Sequence, residues 1–216
     1  MSQAHDSRLA LFAGNLSVAV AVILIIAKTG AWILTDSVSI LASLADSSMD
    51  AMASIVNLMA LRYALKPADK DHRFGHGKAE ALAAVSQAAF IVGSSLILVF
   101  HCIERILTPT ELHLANMDVG LAVMGLSIVL TIVLVLVQRA AIKRTSSAVV
   151  QADQLHYLSD LLTNLSILAA LGLAKFGFAQ ADVIIGVAVA AYICYGALRI
   201  GYPAFFQAQR AGYGGC

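Results

Sequence analysis

The sequence predicts an all-α, polytopic membrane protein: a bundle of six transmembrane helices. Three observations carry this. Of the 216 residues, 60% are hydrophobic and only 12% charged, with a mean hydropathy of +0.84, whereas a soluble globular domain carries roughly 25% charged residues. Four stretches approach or exceed the roughly 20 apolar residues that cross a bilayer. Two further stretches of similar length are apolar apart from a few acids and one histidine, and any function is built on those residues.

The first span opens with the charge-free run 9–27 and is expected to continue to Leu34. The second, 36–64, is apolar in its interior except for Asp46 and Asp50. The third runs over 80–106, and its core, 81–103, holds no aspartate, glutamate, lysine or arginine. The fourth covers 119–138 without interruption. The fifth, 148–174, is apolar except for Asp153, His156 and Asp160, and the sixth covers 183–198. Pro67, Pro109 and Pro203 fall in or beside the expected loops and helix ends, where proline disrupts least. Residues 1–206 are thus expected to form one transmembrane domain, and 207–216 a short flexible tail. Only Arg8 precedes the first long apolar run, so a cleavable signal peptide is not expected.

Basic residues in the connecting segments fix the expected orientation. With the N-terminus inside, the cytoplasmic segments hold Arg8, Arg62, Lys66, Lys70, Arg73, Lys78, Arg139, Lys143, Arg144, Arg199 and Arg210. The opposite face keeps Arg105 and Lys175, and Lys28 lies inside the first span. Both termini are therefore expected in the cytoplasm. A net charge of +1 with no basic stripe argues against nucleic acid as a partner. Cys102, Cys194 and Cys216 lie far apart with no CxxC pair, which points to neither a disulfide framework nor a thiolate zinc site.

Asp46 and Asp50 are spaced i, i+4 and share one helix face; His156 and Asp160 repeat that spacing on the fifth span. Counted from opposite helix ends at 1.5 Å per residue, the pairs lie roughly 15–21 Å and 12–18 Å deep. Both reach the middle of a roughly 30 Å hydrocarbon core. A charged group there costs at least ~2.5–3.5 kcal/mol, and no lysine or arginine lies at that depth on either helix. Crowded carboxylates need protons or a cation. One imidazole with three carboxylates is a four-ligand set suited to Zn2+, and also to Cd2+, Fe2+ or Mn2+. The plainer reading is that the acids are protonated and act as polar glue between helices; two matched pairs at equal depth weigh against it. Asn57 and Asn164 share the ligand faces, as supports for the ligands or as ordinary interhelical hydrogen-bond partners. Asp153 fits either an acid lining the route in from the cytoplasm or an acid in a helix's first turn.

The segment KPADKDHRFGHGKAE, 66–80, brings Asp69, His72 and His76 close in sequence, with Asp71 and Glu80 nearby. The D-x-x-H-x-x-x-H spacing can wrap a second ion, with Gly75 and Gly77 allowing a tight turn. The alternative is a hydrated loop with incidental histidines. His5, His101 and His113 stand alone and are given no role.

Three motifs in order, SVSILASLADSSMDAMAS, PADKDHRFGHGKAE and ADQLHYLSDLLTN, resemble the cation diffusion facilitators, in particular their bacterial zinc/iron exporters. The resemblance implies a homodimeric metal/proton antiporter of the bacterial inner membrane, with Asp46, Asp50, His156 and Asp160 as a tetrahedral transport site. It implies a loop site at Asp69, His72 and His76, and places Lys78 near the subunit contact. The family's usual cytoplasmic domain after the sixth helix is absent from this reading. Two other functions use a metal inside a membrane. An intramembrane metalloenzyme needs a general base beside the ligands, and neither ligand-bearing span contains glutamate. A membrane protein that binds metal without moving it differs from a transporter only in flux.

Overall fold

The computed structural model describes residues 2–67, 76–107, 117–174 and 181–213. They form α1 (Ser2–Thr35), α2 (Val38–Ala64), α3 (Lys78–Leu107), α4 (Met117–Thr145), α5 (Ala148–Ala174) and α6 (Ala181–Tyr213). The architecture is the expected all-α, six-helix bundle. α1, α3, α4 and α6 are long and apolar enough to cross a membrane on length and composition alone. α2 and α5 match them in length but carry the acids that lower their apolarity.

The packing runs opposite to that of a water-soluble bundle. Small residues such as Ala13, Ser17, Ser54, Ala84, Ala152 and Ala197 are almost completely buried, while Ile26, Ile33, Leu34, Phe100, Ile184 and Tyr195 face outwards. Lipid solvates large apolar side chains, so helices associate through small residues that let backbones approach. α3 and α6 form the most extensive pair. A Cβ added at Gly201 would sit 2.8 Å from the Ala88 Cβ, which is fixed to the backbone and cannot rotate away. Gly201→Val should therefore cost about 1–3 kcal/mol through overpacking, visible as a Tm several degrees below wild type in detergent. An unchanged Tm would mean that the two helices are not held this closely.

Two tight connections are built alike. Asp36, between α1 and α2, and Ser146, between α4 and α5, have φ of 48° and 50°. Their amides donate to the carbonyls of Trp32 and Ile142 at 2.8 and 2.9 Å. Each is a single left-handed residue that closes one helix and lets the next run back, a conformation short polar side chains tolerate. The start of α5 is also capped from α3. The Glu80 carboxylate accepts from the Ser147 hydroxyl at 2.6 Å and from the Ala148 amide at 2.9 Å.

Two boundaries differ from the sequence expectation. α1 begins at Ser2, and α6 continues through Pro203 to Tyr213. Pro203 thus lies inside a helix, and residues 207–213, expected as the start of a tail, extend it. Proline removes one backbone hydrogen bond, but Ala204, one residue later, is 2% exposed in a cluster with Ala84 and Ala152. That packing carries the helix past the proline. Ends of α1 and α6 meet the α4–α5 turn around a polar cleft of about 400 Å3, lined by Asp6, Ser7, Glu80, Ser147 and Gln207 among others.

Candidate metal centre

α2 and α5 face each other inside the bundle, and the i, i+4 spacing turns their ionisable residues into one space. The His156 Nε2 lies 2.9 Å from Asp50 Oδ1 and 3.7 Å from Asp160 Oδ2. One ligand atom from each of Asp50, His156 and Asp160 falls within 4.8 Å of the others. Ligands around zinc at 2.0–2.2 Å lie roughly 3.3–3.5 Å apart in a tetrahedron, so this spacing needs little adjustment to enclose one ion. The His156 side chain is 6% exposed, that of Asp50 15% and that of Asp160 34%. The imidazole makes T-shaped contacts with the Phe90 and Tyr157 rings, with centroids 5.8 and 5.5 Å away.

The three residues border a cavity of about 360 Å3 that Asp46 also lines. Asp46 lies one helical turn from Asp50 and is not in the close group of three. The cavity wall includes Ser94, Ser95 and Thr163. These lie further along α3 and α5 than the ligands, so the space extends towards the α1–α2 turn. In the other direction the bundle is shut. Leu155 is 8% exposed and packs with Ile91, Ile193 and Ala197, and its methyls would lie 3.0 and 3.1 Å from a Cβ at Gly196.

The sequence profile of the cation efflux transmembrane domain matches residues 15–207. The chain belongs to the cation efflux family. Curated members called cation-efflux pump FieF are similar to it along most of its length. The protein of Pectobacterium carotovorum is 48% identical over 200 residues, which covers 93% of this chain and 66% of that relative. That of Shewanella oneidensis is 49% identical over 190 residues, covering 88% and 64%. The Citrobacter koseri protein is 46% identical over 204 residues, covering 94% and 67%. The chain spans about two-thirds of the length of these curated relatives. As a cation efflux transmembrane domain it is a multi-pass membrane protein, in agreement with its small-residue core and apolar exterior.

Of the residues singled out in sequence, the structure brings Asp50, His156 and Asp160 together and sets Asp46 beside them. Asp69, His72 and Gly75 lie outside the described residues. His76 is 5% exposed and packs edge-on against Tyr63 with centroids 4.5 Å apart. Gly77 has no left-handed φ, and a Cβ there would meet open space; the turn does not require glycine at that position. Glu80, grouped in sequence with the loop acids, instead caps α5.

Asp153 fills neither role expected of it in this conformation. It is 4% exposed, accepting hydrogen bonds from Gln138 Nε2 at 2.7 Å and from Ser54 Oγ and Asn57 Nδ2 at 3.2 Å. Gln138 also donates to Ser17 Oγ at 3.0 Å, and the Tyr157 hydroxyl reaches Ser54 Oγ at 2.9 Å. The acid is the hub of a polar knot joining α1, α2, α4 and α5. The adjoining void is only about 10 Å3, no larger than one water. Asn57 therefore supports Asp153 rather than the metal ligands.

Lys28 was missed. The expectation that no lysine or arginine reaches the ligand depth on the second or fifth span holds, but it left α1 out of account. Lys28 is 9% exposed and donates to the Ser43 carbonyl at 3.1 Å and to Ser47 Oγ at 2.5 Å, on the α2 turns around Asp46. The signal was present in the sequence. α1 and α2 form a hairpin about Asp36, and residues equally far from that turn, such as 28 and 43–44, lie at equal depth.

Proposed function

We propose that this chain is the transport core of a divalent-cation exporter of the bacterial inner membrane. It would carry zinc, or a cation of similar chemistry such as Cd2+, Fe2+ or Mn2+, outwards in exchange for protons. The observation that carries this reading is the convergence of Asp50, His156 and Asp160 from facing helices inside a membrane bundle. Asp46, one turn away in the same cavity, would swing in as the fourth ligand. Nitrogen and oxygen donors without sulfur suit zinc and borderline divalent ions.

Exchange follows from competition. Metal and protons require the same lone pairs, so binding the ion expels protons, and protons arriving from the far side expel the ion. The cavity on one side of the ligands and the seal at Leu155 on the other give one of the two states that alternating access needs. Opening at Leu155 and closure around Asp46 would give the second. The basic residues of the connecting segments favour cytoplasmic termini, which makes this the outward-open state. A homodimer, implied by the family resemblance, belongs to the same proposal. The chemistry is that of a carrier rather than an enzyme, since α2 and α5 hold no glutamate to act as a base.

In proteoliposomes, zinc flux should accelerate when the receiving compartment is made acidic relative to the donor side, because protons there displace the ion. Flux indifferent to the pH gradient would overturn proton exchange. A protein that binds zinc but moves none would be a sensor or structural metal protein instead.

A further inference from the structure

Lys28 lies within the bundle at the level of the metal centre, away from the basic residues at the helix ends. Its two hydrogen-bond acceptors, the Ser43 carbonyl and Ser47 Oγ, are both neutral. Among the described residues it forms no ion pair. Ser43 and Ser47 lie on either side of Asp46 on α2, so the serines hold the ammonium beside that acid without placing it among the ligand atoms. A charge kept inside a membrane bundle without a pairing carboxylate points to a function rather than to packing.

We propose that Lys28 is the fixed counter-charge that sets the metal centre to divalent cations. The inference rests on the reading that Asp46, Asp50, His156 and Asp160 hold the ion. Three carboxylates and a neutral imidazole carry three negative charges, and a divalent ion leaves one unmatched. The Lys28 ammonium cancels it, so the loaded centre is neutral where unbalanced charge is most costly. A trivalent ion would leave the centre one charge positive. Lys28 does not touch the ion; it is a specificity residue acting through space. At an effective dielectric of about 20, a unit charge held at any separation on the order of 5–10 Å alters the binding of one further unit of charge by more than about ten-fold.

The test compares Cd2+ with Tb3+, ions close in size but one charge apart, by equilibrium dialysis against the purified full chain. Lys28→Gln keeps hydrogen-bond donors and removes the charge, and should raise the Tb3+/Cd2+ affinity ratio about ten-fold or more. Lys28→Arg keeps the charge and should hold the ratio within about two-fold of wild type. Adding Asp46→Asn to Lys28→Gln restores neutrality with a divalent ion and should move the ratio back towards wild type. A ratio unchanged in Lys28→Gln, or shifted as far in Lys28→Arg as in Lys28→Gln, overturns the inference while leaving the metal site standing. Should Lys28→Gln bind neither ion, the arginine variant decides: wild-type binding there supports a role for charge, and its loss shows a purely structural one. Wild-type protein that binds neither ion overturns the site assignment itself, and this inference with it.

Discussion

Asp50→Asn is expected to weaken zinc binding by more than about 100-fold while leaving the helical bundle folded. Loss of a group that merely supports a metal ligand typically costs 10–100-fold, and Asp50 is one of the ligands proposed here. Asparagine keeps the volume and can still hydrogen-bond to His156 Nε2, which lies 2.9 Å from Asp50 Oδ1. What disappears is the anionic oxygen. Folding should survive because the substitution removes one of several crowded like charges rather than a packing contact. Titration calorimetry on the purified protein reads the affinity, and circular dichroism checks the helices. Wild-type affinity in the variant would remove Asp50 from the ligand set.

Asp153→Ala should be the most destabilising single change at the centre of the bundle. The carboxylate receives three hydrogen bonds, from Ser54, Asn57 and Gln138. Without it, Gln138 keeps Ser17 and Ser54 keeps Tyr157, but Asn57 loses the one acceptor recorded for its amide and the void beside it enlarges. A buried donor left unsatisfied costs about 1–3 kcal/mol, the weakened bonds around it add to that, and a sealed apolar interior offers little water in compensation. A total on the order of 3 kcal/mol corresponds to a Tm roughly 6–12 °C lower for a chain of this size. Asp153→Asn, which keeps one acceptor, should lose less. A Tm within a degree of wild type for the alanine variant would show that the knot does not hold α1, α2, α4 and α5 together.

The sequence made the fold legible because a membrane span announces itself by length and by absence of charge. The apolar run 148–174 predicts the bounds that α5 has in the structure, because Asp153, His156 and Asp160 are its only interruptions. Pro203 misled because proline reports local backbone cost, whereas Ala88, Ala204 and Gly201 pack α6 against α3 on either side of it. The pairing of Asp50 with His156 and Asp160 was legible because helical periodicity and depth are both arithmetic. Asp153 was not, because its role depends on Gln138 of α4 and Ser17 of α1, and no spacing within α5 reports which helices flank it. Lys28 lay between these cases. Its depth was readable from the α1–α2 hairpin, yet its neighbours Ser43 and Ser47 became visible only with the helices packed. For His76 the spacing gave a candidate ligand, and the packed helices add that the ring is buried against Tyr63.

The central claim is that one ion is held by α2 and α5 and carried across the membrane from there. Zinc flux into proteoliposomes containing wild-type or Asp160→Asn protein, at matched protein density, tests it most directly. The account predicts sustained flux for the wild type and flux at the level of protein-free vesicles for the variant, with Asp69, His72 and His76 intact in both. Wild-type flux through Asp160→Asn would contradict it.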